Sequence, residues 1–286
     1  MPAAHPASVR ACRTAGLLAC TLLAIGSCEH DDPRSVEAAP ADPREVSRRL
    51  AAEFPLLPVI EGTLWRQLEE AEDLASNPGS TASQRAEATA GIHRITDRLQ
   101  EKHPFRQEEQ RTMLGGIVHH KESGKIEIPV AVCFPKESDS RHPGELELIL
   151  CATTGRSHET LFTTDARPLH LELLMHLAGY RKSPPSSTFR IDVVIPDHEV
   201  IPIESLIRSA DGDPLPERLL WEFSGGEFTD PYLPDMTGDF LICWHAHESV
   251  LRIRHEGIAS GEIKLKPVAH PALKQNQPAT LILSPE

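Results

Sequence analysis

Residues 151–180 read CATTGRSHETLFTTDARPLHLELLMHLAGY, and they set out the end of a strand, a polar loop and a capped helix without interruption. Just upstream, residues 145–151 alternate, with Leu146, Leu148 and Leu150 on one face of a strand and Glu145, Glu147 and Cys151 on the other. That alternation predicts a sheet with one buried face. Downstream, Pro168 suits a first helical turn, and Leu171, Leu174, Met175 and Ala178 form an inward stripe. Gly179 supplies a left-handed stop. Glu172 and His176 lie one turn apart and are expected as a solvent-exposed pair on the outer helix face. The loop holds His158 and Glu159, and the first helical turn holds His170.

Working outward, strand-like runs occur at 113–120, 125–134 and 145–151, and again at 188–195, 200–203, 219–223, 239–245, 251–254, 262–266 and 280–283. Strands on both sides of one helix, without regular βαβ alternation, predict an α+β fold: a mostly antiparallel sheet with one central helix packed on it. Ahead of it, residues 63–76 and 81–102 read as two helices parted by Asn77-Pro78-Gly79-Ser80, a predicted N-terminal helical hairpin. Leu64, Leu68, Ala71 and Ala75 form one apolar stripe, and Ala88, Ile92, Ile95 and Leu99 the other. A single stripe either faces a core or offers a partner surface. The expected organisation is a signal peptide over 1–27, a tether over 28–42, the helical hairpin region over 43–104 and an α+β domain over 105–286.

The N-terminus places the chain in a compartment. Arg10 and Arg13 precede the run AGLLACTLLAIG, which is too short to span a bilayer as a mature helix, and the run ends at Ile25-Gly26-Ser27-Cys28. Small residues before a Cys resemble a bacterial lipobox, so Cys28 is expected as the acylated first mature residue, anchoring the protein to a membrane of the bacterial envelope with its body facing the periplasm or exterior. Residues 1–27 carry two of the 29 basic side chains and no acidic ones, so the formal charge moves from −13 to −15 on their removal. That balance argues against nucleic acid as a partner, because phosphates are held by clustered Lys and Arg. It leaves an envelope protein partner open. Cys133, Cys151 and Cys243 sit in apolar runs and read as buried free thiols.

Several motifs then carry a resemblance. Glu147-x-x-x-Cys151, Gly155-x-x-His158-Glu159-x-Leu161 and Pro168-x-His170 are followed by a Leu-rich helix closing at Gly179-Tyr180, and Asp235-x-Thr237-Gly238-Asp239 follows later. Over about residues 110–250 this resembles the YdjY domain of bacterial envelope proteins. The resemblance implies an envelope domain without established catalysis, and it supplies no reaction.

The residues themselves offer two candidate constellations. His158, Glu159 and His170 are two imidazoles and a carboxylate, the ligand types of a divalent metal site such as zinc or copper and also an acid–base set. No HExxH frames them, so convergence depends on the fold, and the structural alternative is that Glu159 braces the loop while His170 ties it to the helix. Cys243, His245 and His247 would share one strand face and form a weaker metal platform. No complete catalytic or cofactor motif is present. The expectation is a non-enzymatic ligand- or partner-binding module, and the alternative is a metal-dependent enzyme or metallochaperone built on His158, Glu159 and His170.

Overall fold

The computed structural model describes residues 42–134, 144–244 and 249–286, and no helix among them is long and apolar enough to cross a membrane. The expected signal peptide, the lipidation site Cys28 and most of the tether lie outside the described residues, as do His245 and His247.

Four helices come first: α1 (Pro43–Glu53), α2 (Leu57–Ile60), α3 (Gly62–Ser76) and α4 (Ala82–Lys102). α4 begins in a capping box, in which the Thr81 hydroxyl accepts from the Gln84 N–H and the Gln84 side chain accepts from the Thr81 N–H. α3 and α4 pack on each other, and α1 packs on α4. Leu64, Leu68, Ile92 and Leu99 are buried between them, so the apolar stripes face a core.

Strands follow: β1 (Phe105–Gln107), β2 (Arg111–Leu114), β3 (Ile117–His120), β4 (Ile126–Val132), β5 (Leu148–Ala152) and β6 (Thr160–Thr164). After α5 (Pro168–Leu177) come β7 (Thr188–Val194), β8 (Ile201–Pro202), β9 (Ile207–Ser209), β10 (Trp221–Phe223), α6 (Leu233–Thr237) and β11 (Asp239–Ile242). The chain ends with β12 (Leu251–Ile253), α7 (Glu256–Ala259), β13 (Leu265–Pro267) and β14 (Pro278–Pro285). β9 and β13 form a separate two-stranded sheet.

Eight strands close on themselves in the order β4, β14, β7, β10, β12, β11, β5 and β6, because β6 pairs back onto β4 through Ala131 with Thr163 and Val132 with Phe162. The barrel is mixed: β5 runs parallel to β6 and β11 parallel to β12, and the other pairs are antiparallel. β4 makes this possible by sharing one edge. Its first residues, Ile126 and Glu127, pair with β3, and its last two pair with β6. The strands β1 to β3 therefore run off the barrel as an extension, and β8 attaches to β7.

The register sets the interior. Partners across a ladder share a face, so Val132, Phe162, Leu150, Leu241 and Leu251 follow one another around the ring, and Phe223, Ile191, Leu283 and Ile126 continue the set. All are buried in one continuous core, as a barrel of this size requires, since its interior is just filled by side chains.

This overturns the expected α+β arrangement of a central helix packed on an antiparallel sheet. The alternation at 145–151 announces one buried face, yet β5 is buried on both, from Leu148 through Ala152. The stretch 151–180 also contains a strand, β6, that the strand, loop and helix reading passes over, and that strand closes the barrel. α5 is covered on all sides: every residue from Pro168 to Met175 is buried, and the helix packs on β2, β3, β11 and α6. The boundary at 104/105 is not a break in the core either, because Leu50, Phe54 and Leu99 belong to the same buried cluster as the barrel.

Candidate functional site

Burial of α5 all round decides the local chemistry, since its polar side chains must find partners inside the protein. Glu172, expected at the surface, is fully buried. Lys182 Nζ lies 2.7 Å from its Oε1, the Gly226 N–H donates to its Oε2 at 2.8 Å, and the Tyr232 hydroxyl donates to the same oxygen. His176 Nε2 stands 3.6 Å from Oε1. This buried ion pair pins the Ser224-Gly225-Gly226 segment and α6 to α5, and its groups are consumed by one another.

His170 faces the other way, into the seam between the helical layer and the barrel. Its Nε2 lies 3.1 Å from Nδ1 of His103, the residue that ends α4, and His103 Nε2 lies 3.1 Å from Oε1 of Glu61, the residue that precedes α3. Both imidazoles are buried, at 0% and 2% exposure, and Glu61 is 6% exposed. Lys102 Nζ holds the second Glu61 oxygen at 2.6 Å, and Arg167 Nη1 approaches Oε1 to 3.7 Å. Arg167 is itself fixed by Asp235, 2.9 Å from its Nε.

The chain of donors follows from the carboxylate. Burial raises the Glu61 pKa, but hydrogen bonds from His103 and Lys102 outweigh it and hold the carboxyl at about 2, so Glu61 only accepts. His103 Nε2 therefore carries a proton, its Nδ1 accepts, and His170 Nε2 donates to it. That leaves His170 Nδ1 bare. The geometry agrees independently: His170 Nδ1 is buried with no hydrogen-bond partner among the described residues, and Gly115, at φ +58°, packs against it so closely that a Cβ there would stand 1.7 Å from that nitrogen. Burial pushes both imidazoles below their usual range. For His103 the Glu61 bond opposes this while Arg167 and Lys102 add to it; for His170 the His103 and Arg167 charges add to it, and a hydrogen bond with the Lys102 backbone and the Glu61 charge oppose it. The pair is neutral at pH 7.

Two cavities flank the pair. One, of about 490 Å³, has His103 in its wall and is lined by Val46 and Leu50 from α1 and by Pro104, Phe105 and Met113. Arg49 and Arg106 stand at its polar side, with Glu45 and Gln100. Arg49 lies over the Phe105 ring, 5.9 Å from its centroid, and has no acidic partner among the described residues. The other cavity, of about 390 Å³, is lined by Glu101, Lys102, Asp165, Arg167 and His170. Gly115 covers the bare nitrogen of His170 there, so this cavity meets no free base.

The expected cluster of His158, Glu159 and His170 is not brought together. Glu159 and His158 flank Arg156, whose Nη1 lies 2.6 Å from Glu147 and 3.5 Å from Glu159 and whose Nη2 lies 3.0 Å from Asp239. His158 Nε2 stands 3.4 Å from Glu159 Oε1. His170 belongs to the seam, because α5 turns it toward α4 and away from the loop. Among the described residues no group of three or more His, Cys, Asp or Glu side chains is placed to hold a metal ion, and Arg156 supplies the positive charge that the three carboxylates share. Burial raises the Glu147 pKa, aided by a hydrogen bond with Glu159 and opposed by Arg156. Burial also pushes the Cys151 thiol up to about 12 and raises that of Cys243, so both are neutral small hydrophobes. Cys133 is half-buried and donates to the Ser157 carbonyl at 3.2 Å.

The separate motif stretches do meet. Arg156 joins Glu147 to Asp239, and a Cβ on Gly238 would lie 3.1 Å from the Gly155 Cα, so residues 147–159 and 235–239 form one locus around the paired strands β5 and β11. Sequence reasoning missed Glu61 and His103 as partners of His170. The one local signal was Lys102-His103-Pro104, a His at a helix end beside a Pro, which says nothing of what it touches. Searches of protein-family models, curated proteins and solved structures find no match to this chain.

Proposed function

We propose that the protein is a lipid-anchored, non-enzymatic module of the bacterial envelope that binds an amphipathic organic anion in the cavity between α1, the end of α4 and the β1–β2 hairpin. The observation that carries this reading is the cavity itself. About 490 Å³ is within the size range of small-molecule sites, and its Val46, Leu50, Pro104, Phe105 and Met113 wall suits an aliphatic chain. Arg49, beside Arg106 whose Nη2 already pairs with Glu108 at 3.1 Å, suits an acidic headgroup. The anchor at Cys28 and the YdjY-like resemblance belong to the same proposal.

Dodecanoate is the direct probe. Titration calorimetry is expected to show micromolar binding, weakened about tenfold when the carboxylate is replaced by the hydroxyl of dodecanol, and about tenfold or more in Arg49→Glu, as loss of a charge-assisted contact requires. Absence of dodecanoate binding, or equal binding by Arg49→Glu, refutes the ligand. The anchor is tested separately by palmitate labelling in cells, which Cys28→Ala is expected to abolish.

A further inference from the structure

We propose that the seam between the helical layer and the barrel is an acid-opened latch, in which the neutral His103–His170 pair holds the layer shut and proton uptake by the two rings releases α1–α4 from α5 and the β2–β3 turn. This is independent of what the neighbouring cavity binds. The geometry supplies the reason: neither ring has an acceptor for another proton while the seam is closed. A proton on His103 Nδ1 would face the His170 Nε2–H at 3.1 Å, and His170 Nδ1 is buried with no hydrogen-bond partner among the described residues.

The charged groups around the pair bear on this, and in the walls of the two flanking cavities Glu101, Asp165 and Glu45 favour an imidazolium while Arg49 and Arg106 oppose one. Glu61, ahead of α3, favours an imidazolium but is already shared with Lys102 at 2.6 Å. Lys102 at the end of α4 and Arg167 ahead of α5 oppose one, and Asp235 of α6 partly neutralises Arg167. Burial of both rings adds to the opposition. Within the layer α3 packs on α4 and α4 on α1, while the shared burial of Leu50, Phe54 and Leu99, the Phe54–Phe105 contact, the histidine pair and Arg167 beside Glu61 tie it to the remainder. Opening uncovers Leu50, Phe54 and Leu99, all at or below 1% exposure.

The sign is that of two bases depressed in the closed state. Their contribution is complete above the ordinary histidine pKa of about 6.5 and is lost as pH falls below it, because the open state then binds more protons. Two rings make the opening constant rise by up to ~100-fold per pH unit. Glu61, ordinarily titrating near 4.5 and held at about 2, stays ionised throughout this range.

Hydrogen exchange of the full chain from pH 7.5 to 5.0, corrected for the intrinsic pH dependence of exchange, reads this directly. The amides of α1, α3 and α4 are expected to lose protection with a slope approaching about two protons below pH 6.5, while β4, β7 and β14 keep theirs. His170→Gln retains an N–H donor for His103 but does not titrate, so its slope is expected to fall to about one. His119→Gln removes another buried imidazole, on β3, and is expected to leave the slope unchanged. Unchanged protection of α1–α4 at pH 5.0, equal loss in the barrel strands, or the wild-type slope in His170→Gln overturns the latch. If His170→Gln does not fold, the wild-type slope decides, and a value below about one is the overturning result.

Discussion

At the scale of single residues, Gly115 is the position where the smallest change does most. Its φ of +58° disfavours any side chain, and a Cβ would stand 1.7 Å from His170 Nδ1, far inside contact distance. The imidazole cannot retreat, because it is buried and bonded to His103 on its far side. Gly115→Ala is therefore expected to cost about 2–4 kcal/mol, the sum of a left-handed non-glycine backbone and overpacking. Urea denaturation at pH 7.5 measures it, and a loss within 0.5 kcal/mol would show that the ring has room to move. His170 was visible in the sequence as a polar residue on a first helical turn. Its partners were not, since Glu61 and His103 are separated from it by more than sixty residues and neither sits in a ligand-spaced motif.

At the scale of elements, α5 shows what periodicity reports and what it leaves out. Its start at Pro168 and its last turn near Gly179 were legible from proline and glycine chemistry. Its environment was misread, because Leu171, Leu174 and Met175 look like one stripe only if Glu172 and His176 are given to solvent. Leu169 and Leu173 fill the remaining faces, and Glu172 is made tolerable there by Lys182, Tyr232 and the Gly226 N–H. The N-terminus has a similar device. Arg167 at the N-cap position provides no side-chain cap, and Asp235 of α6 does so from a distance, accepting from the Leu169 N–H at 2.9 Å and from Arg167. Asp235→Ala removes a helix cap and leaves Arg167 beside the buried histidine pair with Glu61, 3.7 Å away and shared with Lys102, as its remaining counter-ion. The expected loss is about 2 kcal/mol, at the upper end for a cap. Asp235→Asn keeps one acceptor and is expected to retain about half. Thermal unfolding separates the two variants, and equal stability of Asp235→Ala and wild type refutes the cap.

At the scale of the whole molecule, the decisive feature is one the local pattern conceals. A short connection between two strands ordinarily implies an antiparallel hairpin, whereas residues 153–159 join β5 to a parallel neighbour through a 3₁₀ turn at Ser157–Glu159. The run Thr160-Leu161-Phe162-Thr163-Thr164 has the β-branched and aromatic composition of a strand, so its existence was legible, but its pairing with β4 some thirty residues earlier was not. Closure rests on that pairing. Phe162 occupies the inner face opposite both Val132 of β4 and Leu150 of β5, so its ring supports the two ladders that complete the ring of strands. Phe162→Ala is expected to cost about 3–5 kcal/mol, as for a fully buried aromatic side chain. The distribution of the loss tests the architecture. In a closed barrel, destabilising β6 frees an edge of β4 and of β5 together, so hydrogen exchange should accelerate in both strands by similar factors. In an open sheet ending at β6, the loss would be confined to β6 and its one neighbour. Exchange that rises in β5 alone, with β4 protected as in wild type, would mean that Ala131 and Val132 do not close the ring.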